Sequence, residues 1–224
     1  MEKIKKGDFI ELDYTGKFKD GKIFDTSVKE VGDKEHIQKK DYEPLTVCIG
    51  EGQVILGLDK QLEGSEVEKN YTFNIKTEEA YGKKNPKLVR VVSRALFTKQ
   101  KMNPYPGMQI NAEGSMGLVR SVSGGRVFVD FNHPLAGKDL IFDVKILKIL
   151  KETREKVEAM LKSFLMLPKD KYKVEIKEGK LKVTSEIKFP DMMLNAIKER
   201  ISKLIPEIKE IEFSEEKKEA TTSE

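Results

Sequence analysis

The sequence contains few of the residues on which disulfide, metal and redox chemistry depend. Its 224 residues include one cysteine, Cys48, no tryptophan, and two histidines at distant positions. A single cysteine cannot form an internal disulfide, and two separated histidines do not make a metal-ligand cluster. We therefore expect neither a metal nor a cofactor, and we interpret Cys48 as a small buried hydrophobic residue.

Long apolar segments are also missing. No run approaches the about 18 to 20 apolar residues that a membrane span needs. The first residues, MEKIKKGDFIELDY, turn into a strand pattern where a signal peptide would stay apolar. We expect a cytoplasmic protein without a membrane partner. Lys and Arg total 42 and Asp and Glu total 38, so the net charge of +4 does not by itself indicate nucleic acid binding.

In the first third of the chain, apolar and polar residues alternate in three segments, which predicts half-buried strands. A helical spacing of apolar residues over residues 53–62 predicts one short helix between the second and third strands. The predicted fold class is α+β, an antiparallel half-barrel around one short helix. The alternating apolar positions are Ile10, Leu12 and Tyr14, then Leu45, Val47 and Ile49, then Tyr71, Phe73 and Ile75.

The composition changes after Gly82. Seven basic residues lie within residues 83–101, and no acidic residue follows until Glu113. Residues 109–131 are predicted to be strands, with Gly124-Gly125 as a tight hairpin turn. Alternation returns at Leu140, Phe142, Val144 and Ile146. We therefore interpret residues 84–131 as a small β-rich lobe, inserted into a domain formed by residues 1–83 and 132–151.

A further unit follows at residues 152–213. Apolar stripes predict two helices, the first ended by Pro168, and alternating segments predict three strands, in the order α-β-β-α-β. Residues 214–224 are charged and rich in small residues, which predicts a disordered tail. At about 60 residues, this unit has a marginal core of its own, so it either packs on the rest of the chain or pairs with a second copy. Homodimerisation through this unit is a hypothesis.

Five short motifs occur in order along the chain. Together they resemble the FKBP family of peptidyl-prolyl cis/trans isomerases, over roughly residues 5–83 and 132–150. The inserted lobe and the segment 132–137 look like the SlyD-like branch, with its insert in the flap, and the C-terminal unit is similar to that of long archaeal members. The motifs are Tyr14-Thr15-Gly16, Asp20-Gly21-Lys22-Ile23-Phe24-Asp25-Thr26-Ser27, Gly50 with Gln53-Val54-Ile55-Leu56-Gly57-Leu58, Ala80-Tyr81-Gly82, and Phe142-Asp143-Val144.

The resemblance implies a rotamase that acts on unfolded or proline-containing polypeptides. It implies that the Ile55 N–H and the Tyr81 hydroxyl hold substrate carbonyls, and that Asp25 and Tyr14 form a polar corner beside the twisting bond. The implied catalytic set is Tyr14, Phe24, Asp25, Ile55, Tyr81 and Phe142, and the implied substrate-binding pocket adds Leu45, Val54 and Leu58. Many eukaryotic members have Trp where this chain has Leu58 and Phe where it has Leu45, which predicts a shallower pocket and weak binding of macrolide inhibitors.

Two interpretations of the inserted lobe compete. The resemblance implies a chaperone surface for unfolded chains, and flexible methionines suit such a surface. The alternative is that most of its apolar residues form the lobe's own core. The expected chaperone surface consists of Leu88, Val91, Leu96, Phe97, Met102, Met108 and Met116.

The sequence leaves two other functions open. One is a non-catalytic, peptide-binding holdase. The other is a ribosome- or RNA-associated module that uses the basic segment 83–101, with Phe97 and the nearby Tyr105 stacking on bases. We favour a solvated basic face and do not expect nucleic acid as a partner.

Overall fold

A computed structural model describes residues 2–39, 41–112, 114–165 and 171–215. Within these residues the chain forms three sheets. The strands are β1 (Phe9–Phe18), β2 (Ile23–Thr26), β3 (Leu45–Cys48), β4 (Asn70–Ile75), β5 (Val89–Ser93), β6 (Gln109–Ala112), β7 (Ser115–Ser123), β8 (Arg126–Asp130), β9 (Leu140–Leu150), β10 (Tyr172–Lys177), β11 (Lys180–Ser185) and β12 (Glu210–Glu215). The α-helices are α1 (Lys29–Lys34), α2 (Leu56–Leu62), α3 (Arg94–Lys99), α4 (Thr153–Leu165) and α5 (Asp191–Leu204).

The first sheet is the half-barrel. Its strands run in the order β2-β1-β9-β4, with β3 paired to the other end of β1, and every pair is antiparallel. Alternation places one face of β1 and β9 against α2, where Ile10, Leu12 and Ile146 are fully buried. Each such side chain contributes about 1.5 to 3 kcal/mol by leaving water. The predicted fold class is confirmed. The long strand β9 of this sheet follows the inserted lobe in the sequence.

Helix α2 is shorter than predicted, because it begins at Leu56 and not at residue 53. Gly50 and Gly52 take positive φ angles of 82° and 63°, so the chain before the helix forms a tight loop. The buried carboxylate of Asp59 accepts hydrogen bonds from both glycine amides, at 2.8 and 3.1 Å. Helical spacing alone did not reveal that Asp59 would hold the preceding residues in a loop.

The second sheet forms the inserted lobe, in the strand order β5-β8-β7-β6. Gly124 and Gly125 connect β7 to β8 with φ angles of 55° and 78°, in agreement with the predicted hairpin turn. The short helix α3 was not predicted, since residues 94–99 are too few and too basic to show a clear apolar stripe. Phe97 on this helix is 4% exposed and packs with the buried valines of the sheet. Phe97 therefore belongs to the lobe's core, which corrects its assignment to an exposed surface.

The third sheet, β10-β11-β12, packs with α4 and α5 in the predicted order α-β-β-α-β. Its core also contains Phe9, Cys48 and Leu150 from the half-barrel, so the C-terminal unit packs on the first sheet through a shared apolar core. Cys48 is 1% exposed, as expected, and burial raises the pKa of its thiol to about 11. Strand β12 extends to Glu215, two residues past the predicted boundary. Pro168, which was predicted to end the first helix of this unit, and residues 216–224 of the predicted tail lie outside the described residues.

Among the helices of the described ranges, none has both the length and the apolar character needed to cross a lipid bilayer.

Candidate active site

Tyr14 and Asp25 meet on the neighbouring strands β1 and β2 of the half-barrel. The pairing of β1 with β2 places Gly16 opposite Asp25, so the Tyr14 side chain, two residues earlier, lies within reach of the carboxylate. The Tyr14 hydroxyl donates a 2.6 Å hydrogen bond to Asp25 Oδ2. Burial and this bond raise the pKa of Tyr14 above its ordinary value, so the hydroxyl stays protonated and keeps donating over the physiological range.

Lys39 completes this polar corner and was missed by sequence analysis. Its Nζ lies 2.5 Å from Asp25 Oδ1, donates to the Thr26 carbonyl at 2.8 Å, and sits 5.5 Å from the centre of the Tyr14 ring. Asp25 therefore has Tyr14 on one oxygen and Lys39 on the other. Lys39 lies in a charged connection without periodicity, and no local pattern distinguishes it from its lysine neighbours.

Aromatic rings form the wall beside this corner. Phe24 and Phe142 meet edge to face with ring centroids 5.9 Å apart, and Tyr14 lies 6.4 Å from Phe142. A Cβ atom on Gly16 would come within 2.6 Å of the Phe24 ring. The glycine of the Tyr14-Thr15-Gly16 motif is therefore needed for the close approach of the two phenylalanines.

Aliphatic side chains from β3 and the start of α2 belong to the same core. Leu58 is 3% exposed, while Leu45, Val54 and Ile55 are half-buried and pack against the cluster that contains Phe142. Ile55 is the N-cap of α2, with a φ angle of -58° and a ψ angle of 142°. Within the described part of the chain, its backbone N–H donates to no protein atom. This amide is therefore free to donate a hydrogen bond to a carbonyl oxygen of a ligand.

Tyr81 lies on the connection toward the inserted lobe. It is 38% exposed and stacks on the His133 ring, with centroids 4.0 Å apart and planes 3° from parallel. Burial raises the pKa of Tyr81, and the negative charge of Asp25 raises it further. His133 Nδ1 accepts a 3.1 Å hydrogen bond from the Leu135 amide, which orients the ring. The Tyr81 hydroxyl is therefore a protonated donor. Its ring is held by His133, which lies on the segment that leads from the lobe back to the half-barrel.

The two connections to the lobe are joined to each other. Asn85 and Asn132 exchange hydrogen bonds between their backbone and side chains, at 2.8 and 3.1 Å. Asp130 accepts from Asn132 and from Arg120. Burial alone would raise the pKa of Asp130, but these hydrogen bonds lower it to about 2. The lobe is thus attached through two connecting segments that are hydrogen-bonded to each other.

The residues of the expected chaperone surface fall into three places. Leu88, Leu96 and Met102 line a groove of about 590 Å³ between α3 and the lobe sheet, with Phe97 at its base. Val91 and Met116 are exposed, at 57% and 59%, on the strand positions that face away from this groove. Met108 is half-buried against the lobe core. The structure therefore does not bring these side chains into one continuous surface.

Comparisons with known proteins agree with this geometry. A family model described as the FKBP26 IF domain matches residues 90–135. The chain is 36% identical over 145 residues to the short-type peptidyl-prolyl cis-trans isomerase of Methanocaldococcus jannaschii, across 64% of this chain and 92% of that protein. It is 30% identical over 160 residues to the FKBP-type isomerase SlyD of Vibrio cholerae, across 69% of this chain and 73% of that protein. An FKBP-type 16 kDa isomerase of Escherichia coli is 31% identical over 110 residues, across 47% of this chain and 74% of that protein.

The half-barrel and its relatives therefore define a peptidyl-prolyl isomerase. The chain belongs to the FKBP-type peptidyl-prolyl cis/trans isomerase family, with SlyD-like relatives.

Proposed function

We propose that this protein isomerises X-Pro bonds in unfolded or partly folded polypeptides, at the slot between Tyr14, Phe24 and Phe142. The observation that carries the proposal is the pairing of a half-buried tyrosine-carboxylate hydrogen bond with an apolar aromatic wall. A proline ring is apolar and fits against phenylalanine rings, while the adjacent carbonyls need hydrogen-bond donors. The slot offers both at one place.

The chemistry requires no acid, base or nucleophile. Planarity of the peptide bond opposes rotation by about 18 to 20 kcal/mol, and the twisted amide has lost the charge separation of the planar one. An apolar, water-poor slot therefore favours the twisted form over the ground state. In our proposal, the Ile55 N–H and the Tyr81 hydroxyl hold the flanking carbonyls while Phe24 and Phe142 contact the ring.

Asp25 has a separate role in this proposal. Its carboxylate orients the Tyr14 hydroxyl, and Lys39 holds the other carboxylate oxygen. The polar corner therefore keeps a fixed geometry beside the rotating bond, which avoids reorganisation during the twist.

Exchange NMR on an Ala-X-Pro-Phe tetrapeptide, without a coupled protease, tests the isomerase proposal. We expect the full-length protein to increase the rate of exchange between the cis and trans resonances at catalytic concentrations. A folded protein that leaves this rate unchanged would contradict the proposal and favour the peptide-binding holdase.

We further propose that the inserted lobe captures unfolded chains in the groove that Leu88, Leu96 and Met102 line. Leu96 is 54% exposed, and a flexible methionine can adapt to different apolar side chains. The paired connections at Asn85 and Asn132 support this role, because they keep a captured chain close to the isomerase slot. The exposed valine face of the sheet is the competing surface.

A pair of matched variants separates the two faces of the lobe. Leu96→Glu places a charge in the groove, whereas Val91→Glu places the same charge at a similarly exposed position on the opposite face. We expect Leu96→Glu to weaken binding of a permanently unfolded protein about tenfold, or ~1.4 kcal/mol, and Val91→Glu to have little effect. For both variants, binding is measured by titration with the unfolded protein and by suppression of its aggregation. A larger loss for Val91→Glu would move the binding surface to the sheet face.

The remaining alternatives have less support. Arg90 lies over the Phe131 ring and Arg94 donates to Asn103, so part of the basic segment takes part in contacts within the lobe. We therefore do not propose nucleic acid binding. Homodimerisation through the C-terminal unit stays a prediction, and so does a cytoplasmic location.

A further inference from the structure

We propose that Arg200, in the C-terminal unit, is a positioning residue for the isomerase slot. It holds the loop of residues 49–55, which we call the Ile55 loop because it presents the Ile55 amide. The inference rests on the role proposed above for Ile55 as a donor to a substrate carbonyl.

The half-barrel anchors the Ile55 loop on one side. Asp59 accepts from the Gly50 and Gly52 amides, and the Gln53 side chain accepts a 2.7 Å hydrogen bond from the Cys48 amide. These bonds fix the turn of the loop but leave Glu51, between the two glycines, pointing away from α2 and toward the C-terminal unit.

The C-terminal unit forms hydrogen bonds with the loop at Glu51. Arg200 Nη2 donates a 3.0 Å hydrogen bond to the Glu51 backbone carbonyl. Lys203 Nζ lies 2.9 and 3.1 Å from the two carboxylate oxygens of the same residue, whose side chain is only 16% exposed. Both donors are on α5, so one helix holds both the backbone and the side chain of Glu51.

Helix α5 is itself held in place by packing in the core. Ile197 and Ile201 on α5 are fully buried in the core that also contains Cys48, the last residue of β3. The Arg200 guanidinium lies 5.5 Å from the centre of the Phe164 ring on α4, which restricts its rotation. A donor on a rigid, packed element positions its acceptor better than a donor on a mobile loop does.

Glu51 lies four residues before Ile55. A displacement of its carbonyl shifts the short segment that ends at the Ile55 amide, and small misplacements of a binding group lower activity strongly. The C-terminal unit therefore contributes to substrate binding through Arg200, although none of its residues belongs to the slot described above.

Arg200→Met tests this role, because methionine keeps an apolar stem against Phe164 and removes the donor. We expect the KM for a tetrapeptide to rise about fivefold with kcat within about twofold of wild type, since one substrate-holding hydrogen bond is loosened equally in ground and transition states. Amide exchange at residues 52–55 should become faster. Arg200→Lys, which retains a donor, should recover most of the loss.

The matched control is Arg154→Met, which removes an exposed arginine paired with Glu158 elsewhere in the same unit. It should leave KM and the loop exchange unchanged. A merely destabilising effect would reduce the folded fraction, and so the apparent kcat, without changing KM. If wild type is active and Arg200→Met keeps the wild-type KM and loop exchange, the positioning role is wrong. If wild type itself fails to accelerate the tetrapeptide, the proposed function is wrong and this inference falls with it.

Discussion

Asp25→Leu is expected to lower kcat/KM on a tetrapeptide roughly 30-fold, or ~2 kcal/mol of transition-state stabilisation. The variant removes the acceptor of the Tyr14 hydroxyl and the partner of Lys39, while leucine keeps the number and branching of the side-chain heavy atoms. Without the carboxylate, the Tyr14 hydroxyl is free to rotate away from the twisting bond. The effect should appear mainly in kcat, with KM nearly unchanged, because the oriented corner acts mainly on the twisted amide.

Asp143→Leu is the matched control for this substitution. Asp143 is also a strand carboxylate paired with a lysine, Lys17, and it lies next to Phe142. Alternation places it on the opposite face of the sheet, away from the slot, where it also accepts from Thr72. The Asp143→Leu variant should be less stable than wild type but keep the wild-type activity per folded molecule. If folded Asp25→Leu retained full kcat/KM, the assignment of the polar corner would be wrong.

The structure separates what local patterns predict from what they do not. The strands β1, β3, β4 and β9 follow a period of two, and the turn at Gly124-Gly125 follows from backbone preferences, so both could be read from short windows. The motif segments around Tyr14, Asp25 and Phe142 could be recognised because each lies on or beside such a strand.

The contacts that sequence analysis missed are long-range. Arg200 and Glu51 are 149 positions apart, and no pattern near either residue indicates the other. Lys39 reaches Asp25 from a connection without periodicity. Similarly, Phe97 could equally have been a surface or a core residue until its helix was seen to pack against the lobe sheet. Side-chain pairing between elements decides these questions, and the sequence gives only the candidates.

Packing also changes the interpretation of the C-terminal unit. Its size suggested a marginal core, and the structure provides the missing apolar area through Phe9, Cys48 and Leu150 of the half-barrel. A shared core means that removing this unit would expose the end of the first sheet. Substitutions such as Arg200→Met therefore give cleaner information than truncation does.

Removing the inserted lobe is expected to divide the two activities. A variant without residues 86–131, with Asn85 joined to Asn132 by a short Gly-Ser linker, keeps Tyr81, His133 and the whole slot. The join is feasible because Asn85 and Asn132 are hydrogen-bonded neighbours, and Gly137 donates to the Gly82 carbonyl at 2.8 Å. The half-barrel and the lobe have separate cores, so the half-barrel retains its buried residues.

On a tetrapeptide, this variant should stay within about threefold of the full-length kcat/KM, since the substrate is too short to occupy both sites. On a protein whose refolding is limited by proline isomerisation, we expect acceleration to fall on the order of 100-fold. A chain held in the groove reaches the slot at an effective concentration in the millimolar range, and that advantage disappears with the lobe. The groove variant Leu96→Glu should shift the refolding result in the same direction but by less. Equal losses on both substrates would mean that the lobe supports the slot structurally and does not capture unfolded chains.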